Sequence, residues 1–342
     1  MRNRNVILSI ILIGMCYACS EKIAIDEPRP EITVIMGLSG AGDNGYNDEI
    51  LSGLMEVNET SELSLSMISP ASIEEARTAL NVWLDRDLSG VRALLVLAGN
   101  EYESLIQDVT LPNDKSILLF ESESKNLPNK VSSFIIRRYG ISYLAGCMAN
   151  EAQSASVIAA MHSENYMADA INGFVDGFSV SGKKTNVVYL AEDASGYGMP
   201  NEGYRIVKEL PYNTFIYPLA GGSNSGMYKA TREEEFNMKL IAGIDVDCYS
   251  YSTRVPFSVI FNIRRVVHFL LDEWIGGNEL QNHYSFDLSD DDIVYIAFSE
   301  SFFDNLVAWD HYYSDPYYWP QRFERYREIA IEMEEKFYEN RH

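Results

Sequence analysis

Three places in the chain are dense in groups that can grip a small polar molecule. The first is the loop Asp43-Asn44-Gly45-Tyr46-Asn47-Asp48, which crowds carboxylates, carboxamides and one aromatic ring together. The second is Gly221-Gly222-Ser223, inside the glycine-rich run from Ala220 to Gly226. Glycine lets a backbone come close to a ligand because no side chain stands in the way. The third is Asp245, at the end of the apolar run KLIAGI, and Gly99, which closes the run VRALLVLA, joins the set. The chemistry open to these groups is hydrogen bonding and stacking. Bond-breaking sets are missing. Gly221 to Gly226 has P-loop spacing, but Met227 stands where that loop needs Lys. There is no G-x-S-x-G, no H-E-x-x-H and no His/Cys cluster. Asp245/Asp247 and Asp290-Asp291-Asp292 have the charge to bind a cation, but the second reads better as a turn before a strand. The order Gly37-x-x-Gly40-x-Gly42 is not the G-x-G-x-x-G dinucleotide fingerprint. The expectation is a binding protein, not an enzyme, with no cofactor and no metal.

The elements that place these groups are read from hydrophobic period. Ile32 to Leu38 is a short apolar run that suits a strand buried on both faces. Glycines break it, and Asp43 or Asn44 can cap the next helix. Ile50, Leu51, Leu54 and Met55 give that helix an apolar face. Strand and helix then alternate: strands at 63–68, 91–97, 116–120 and 131–136, with a helix at 72–84 and a short one at 102–108. The alternation restarts after Tyr139, with strands at 155–160, 186–190, 214–219 and 239–246. This pattern means βαβ units and parallel sheets, in two successive series. Pro256 to Ile275 reads as one long helix, with His268 as a packed or surface residue. The C-terminal stretch crowds Trp309, Tyr312, Tyr313, Tyr317, Tyr318 and Trp319 before a last helix whose face holds Phe323, Tyr326, Ile329, Met333 and Phe337.

The chain has 342 residues, enough for two domains. It carries 27 basic against 50 acidic residues, a formal net charge of −23. That balance argues against nucleic acid or an anionic membrane surface as partner. Arg2 and Arg4 precede an apolar run, Val6 to Met15, that is too short to span a bilayer. Ala18-Cys19 after this leader resembles the lipobox of bacterial lipoproteins, in which the cysteine becomes the lipid-modified N-terminus. The expected division is a signal peptide at 1–18 and a lipidated tether at 19–30. Cys147 and Cys248 read as buried free thiols rather than a disulfide.

A resemblance covers most of residues 32–288. The loop from Asp43 to Asp48 resembles an Asp-x-Ser-Phe-Asn-Gln motif. Ile141 to Gly146 resembles a Ser-Tyr-Leu-Ala-Gly helix start, and Ala220 to Gly226 an Ala-Gly-Gly-x-x-x-Gly loop. Gly243 to Asp247 resembles a Gly-Val-Asp-x-Asp strand end, and His283 to Leu288 a Tyr-Ser-(Phe)-x-Leu segment. In this order, behind a lipobox, they are similar to the basic membrane protein family of substrate-binding lipoproteins, whose best understood members bind purine nucleosides. The resemblance implies the type I periplasmic-binding fold, an α/β architecture of two doubly wound parallel-sheet lobes joined by three crossovers. Lobe I is expected at 31–136 plus 252–284, and lobe II at 137–251 plus 285–342 with an aromatic C-terminal arm. It implies that Asp245 accepts hydrogen bonds from ribose hydroxyls and that Tyr46 stacks on a base. It further implies that Asp43 and Asn47 read base edges or ribose, with Asn44, Gly99, Gly221, Gly222 and Ser223 around the ligand. At Ala191-Glu192-Asp193 the family's second aromatic has no counterpart, so that face of the base clamp is missing or supplied by Tyr197. The implied partners are a nucleoside-like ligand, an ABC transporter permease and the membrane that holds the lipid anchor. The implied location is the bacterial cell envelope. The alternative is a lipoprotein of the same fold that acts as a sensor or surface-interaction module.

Overall fold

Strands of β-branched and aliphatic residues build two parallel sheets, and a third, smaller sheet links them. The computed structural model describes residues 29–38, 40–88, 90–162, 166–233, 239–299, 302 and 317–341. The leader, Cys19, most of the tether, and Trp309, Tyr312 and Tyr313 lie outside the described residues.

The first series runs β1 (Glu31–Met36), α1 (Tyr46–Thr60), β2 (Ser64–Ile68), α2 (Ile73–Asp85), β3 (Ala93–Ala98), β4 (Lys115–Phe120) and β5 (Val131–Ile136). With β12 (His283–Phe286) these strands form a six-stranded sheet in the order β12-β5-β4-β3-β1-β2, every pair parallel. β3 is buried along its whole length, as a central strand with helices on both faces must be. Its Leu94 and Val96 join one core and its Leu95 and Leu97 another, which is the period-2 alternation of a strand.

The second series runs α3 (Tyr139–Ala149), β6 (Ser154–Met161), α4 (Tyr166–Ser179), β7 (Thr185–Ala191), α5 (Pro200–Glu209), β8 (Thr214–Leu219), α6 (Asn224–Arg232) and β9 (Leu240–Ile241). Its sheet has the order β7-β6-β8-β9 and is again all parallel. Helices α3 and α4 meet so closely that a Cβ on Gly146 would stand 2.3 Å from the Phe174 carbonyl oxygen. Only glycine fits there.

The third sheet joins β10 (Gly243–Asp245) in parallel to β11 (Phe257–Phe261), and β11 in antiparallel to β13 (Val294–Phe298). After β11 the chain returns to the first sheet as α7 (Ile263–Ile275), which packs on α1. There Arg264 bonds Glu49 and Glu56, and His268 bonds Glu56 at 2.8 Å. The last helix, α8 (Tyr318–Glu339), packs on α3. Cys147 and Cys248 are both buried and free.

The structure corrects four readings. The stretch from Pro256 to Ile275 is not one helix. FSVIF is strand β11, buried throughout, and α7 begins only after Asn262, whose side chain accepts from Arg265 N. A fully apolar run fits either period, and the Asn262 cap is the signal that separates them. The run from Lys239 to Val246 is two short strands in two different sheets, β9 and β10. On α1, Met55 is exposed, while Ile50, Leu54 and Val57 are buried. On α8 Phe323, Tyr326, Met333 and Phe337 pack against the core as expected, but Ile329 is exposed, and the fully buried residues are Trp319, Ala330, Glu334 and Tyr338.

Glu334 is 3% exposed, and its two oxygens accept Gly140 N at 2.9 Å and Leu288 N at 3.1 Å. Burial pushes its carboxyl up from 4.5 to about 7, against the pull of those two donors. A carboxyl with a raised folded-state pKa binds its proton more tightly in the folded chain. Its contribution is therefore complete below about 4.5 and is lost as pH rises to about 7. Glu334→Gln does not titrate. The stability gap between wild type and E334Q narrows as pH rises through that window and is constant above it. Thermal unfolding of both proteins from about pH 4 to about pH 8 measures the gap, and a pH-independent gap refutes the linkage.

Candidate functional site

The loop between β1 and α1 is built by its own carboxylates. Asp43 accepts from Gly45 N at 3.0 Å, Asn47 N at 3.0 Å and Asn47 Nδ2 at 2.9 Å. Asp48 accepts from Gly42 N and Asn44 N. Gly45, at the cap position of α1, brings no side chain, so Asp43 satisfies the helix's first amides instead. Both carboxylates are thus engaged within the loop. Asn47 is buried, while Asn44 has φ 52° and faces outward from the turn.

Asp245 differs. It ends β10 with φ 69°, is half-buried, and its carboxylate has no hydrogen-bond partner among the described residues. One of its oxygens lies 3.3 Å from where a Cβ on Gly45 would stand, so it reaches from the linking sheet to the first loop. Burial pushes its pKa up to about 7; Arg138 pulls it down, and Asp43 and Glu121 push it further up.

Beside it lies a buried ion pair. Arg138, just after β5, donates twice to Glu121, just after β4, at 3.0 and 2.8 Å. Both side chains are almost wholly buried. The guanidinium lies 4.2 Å from the Tyr166 ring and 4.8 Å from the Phe261 ring. Burial works against the Arg138 charge, but Glu121 outweighs it and holds the pKa above the ordinary value. The Tyr46 hydroxyl donates to the same Glu121 carboxylate, and burial with that carboxylate raises the phenol well above its usual pKa.

Asp43, Asn44 and Gly45 from the first lobe face Gly221, Asn224 and Ser225 from the second across one pocket, with Asp245 at its wall. Lys229 and Arg232 sit at the same pocket. Gly221 has φ 50°, and a Cβ there would stand 3.0 Å from the Tyr197 ring, so Tyr197 packs on this glycine. The Gly222 backbone abuts Tyr197 O. The Ser223 hydroxyl is turned into the fold: it accepts from Met199 N and donates to Gly196 O. Gly99 lies under the folded-back side chain of Glu101, whose carboxylate accepts Leu38 N.

Sequence reasoning missed Glu121, Arg138, Tyr166 and Phe261. The available signal was position: Glu121 and Arg138 directly follow consecutive parallel strands, at the sheet edge where ligands bind in open α/β folds. Strain marks the same place. Three of the non-glycine residues with positive φ, Asn44, Glu121 and Asp245, sit here. Such backbone persists only where the surroundings over-determine it, and it concentrates at functional sites. Among the described residues no group of His, Cys, Asp and Glu is placed to hold a metal ion. Pairs of hydrogen-bonding groups flanked by rings can bind and orient a ligand.

The fold is that of known binding proteins. A solute-binding protein of an ABC transporter system from Aeropyrum pernix K1 superposes with a TM-score of 0.68 at 16% identity, covering 90% of this chain and 86% of that one. The periplasmic component of an ABC-type sugar transport system from Hahella chejuensis gives 0.59 at 14%, covering 79% and 100%. A transcriptional activator of the comK gene from Bacillus halodurans gives 0.61 at 16%, covering 87% and 97%. No match was found among curated proteins. These likenesses establish the type I periplasmic-binding fold, with two parallel-sheet lobes. A profile of the Bmp family, described as ABC transporter substrate-binding protein PnrA-like, matches residues 33–307, and the chain belongs to that family.

Proposed function

We propose that this protein is a lipid-anchored substrate-binding protein that captures a nucleoside-like ligand between its lobes and delivers it to an ABC transporter. One observation carries the ligand class. Asp245 presents a carboxylate with no hydrogen-bond partner among the described residues, in a pocket whose other carboxylate, Asp43, is bonded within its own loop. Vicinal hydroxyls of a ribose supply the two donors it lacks, and charge-assisted bonds of this kind are the strong ones. Tyr46 and Tyr197 flank the ring, and Asn44, Gly221 and Ser225 close around the sugar. Lobe I takes residues 31–136 and 252–284, and lobe II takes 137–251 and 285–342. The pairing of β12 with β5 and the packing of α7 on α1 support this division. The leader with Ala18-Cys19 supports export and anchoring at the bacterial cell envelope. Among the described residues no helix is long and apolar enough to cross a membrane.

A second reading, a sensor or surface-interaction module of the same fold, draws on the Arg138 stack. Tyr166, Arg138 and Phe261 already fill part of the space between the lobes with the protein's own side chains.

Two measurements test the first reading. Asp245→Ala strands the ribose hydroxyls in a closed cleft, which costs about 2–3 kcal/mol, or ~30- to 150-fold in affinity. Its thermal stability is unchanged or higher, because the lost carboxylate had no partner in the ligand-free protein. Calorimetry with ribo- and 2′-deoxyribonucleosides decides: equal binding by wild type and D245A sinks the assignment. Mass spectrometry of small molecules released on denaturation identifies what the cleft holds and separates ligand loss from ligand change.

The anchor is tested separately. The mature protein begins at Cys19 and carries lipid there. Intact mass of membrane-extracted protein reads both, and an unmodified N-terminus at any other residue refutes it.

A further inference from the structure

Helix α8 lies across the segments that join the lobes and grips one of them residue by residue. Segment 137–140 carries the chain from β5 into α3. The Arg137 guanidinium lies 4.6 Å over the Tyr338 ring. Tyr139 stacks on Phe337 with centroids 4.0 Å apart and planes 12° apart. Gly140 N donates to one oxygen of Glu334. Arg138 is the one residue of this segment whose side chain turns to the cleft, where it meets Glu121, Tyr166 and Phe261. The other Glu334 oxygen accepts Leu288 N, from the segment after β12. One buried carboxylate therefore ties together two linking segments that are far apart in sequence.

The pin is itself fixed to the second lobe. Arg341 pairs with buried Asp169 of α4 at 2.7 Å, and the Tyr338 hydroxyl donates to the same carboxylate at 3.1 Å. Arg322 donates to the carbonyls of Cys147 and Met148 at the end of α3. Hinge motion needs linking segments to change φ and ψ. Two segments bonded to one rigid carboxyl group move together or break one of its hydrogen bonds.

We propose that Glu334, with Phe337 and Tyr338, is a positioning group for the ligand cleft: it fixes segment 137–140 and so sets where Arg138 holds Glu121 and Tyr46. This rests on the reading that the ligand site lies between the lobes, and not on the ligand being a nucleoside.

Amide hydrogen exchange on the ligand-free full chain tests it. Ile136 N donates to Glu121, so its exchange reports on the cleft side of the pair and not on α8. Glu334→Leu removes both acceptors at similar volume. Exchange at Gly140, Leu288 and Ile136 then rises by about tenfold or more, as expected for the loss of a buried hydrogen bond. Glu335→Ala, on the exposed face of α8, leaves all three at wild-type rates. If E334L does not fold, E334Q serves. Its amide has one accepting oxygen, so it releases one of Gly140 and Leu288, and Ile136 still accelerates. Release of the α8-bound amides with Ile136 at its wild-type rate overturns the proposal. No ligand enters this measurement, so it stands or falls apart from the nucleoside titrations.

Discussion

The buried pair of Glu121 and Arg138 is the constraint to which the rest of the cleft conforms. Two charges taken out of water cost several kcal/mol each unless their bonding capacity is filled. Here it is filled. Glu121 accepts from the Tyr46 hydroxyl, from Ile136 N and twice from Arg138. Arg138 also donates to Ile136 O, and the Tyr166 and Phe261 rings lie 4.2 and 4.8 Å from its guanidinium. Such a pair adds little net stability over a well-packed apolar replacement, yet loss of one partner costs about 3–5 kcal/mol. Its effect is geometric. β4 must end at Phe120, β5 at Ile136 and β11 at Phe261 for these groups to meet. Glu121 must also adopt φ 57°, which costs an L-residue about 1–2 kcal/mol. The four donors on its carboxylate hold it there.

The opposite edges of the sheets solve a different problem. The last carbonyls of a helix have no partner within it, and they carry the negative end of its dipole. Lys115, at the start of β4, donates to Trp83 O, Leu84 O and Arg86 O at the end of α2. Lys239, just before β9, donates to Val207 O and Lys208 O at the end of α5. Lys183, just before β7, donates to Asn150 O, Glu151 O and Ala152 O beyond α3. One side chain thus closes each helix where the chain enters or underlies a strand. The C-termini of α2 and α5 are sealed at that edge. The helix N-termini and strand ends at the other edge are left to the cleft, as open α/β sheets arrange them.

This division explains what could be read from sequence. Alternating strand and helix is local, so the sheets and most helices were legible from period alone. The run from Pro256 to Ile275 was not, because a buried strand followed at once by a helix keeps one continuous apolar signal. The cleft loops were legible because glycine, asparagine and aspartate cluster there. The roles of individual residues were not. Asp43 lines the pocket, and its oxygens also serve the amides of its own loop, a second task that sequence spacing does not reveal. Glu121 and Arg138 meet only after β4 and β5 pair, and a non-local contact leaves no periodic trace.

Counting donors therefore says more about the site than counting acidic residues. Asp43, Glu121 and Asp245 stand close enough that the first two raise the pKa of the third. Asp43 and Glu121 already accept from the protein's own donors. Asp245 shares the positive φ of Glu121 and is half-buried, yet nothing in the described chain completes it. A half-buried carboxylate without donors is unfavourable in the ligand-free protein, and its elevated pKa expresses that cost. In the proposed function, a ligand that brings donors to Asp245 relieves that cost on binding. A transcriptional activator shares this fold with transport proteins. The architecture alone therefore does not set a function, and the proposed one rests on the carboxylate that the described chain leaves without donors.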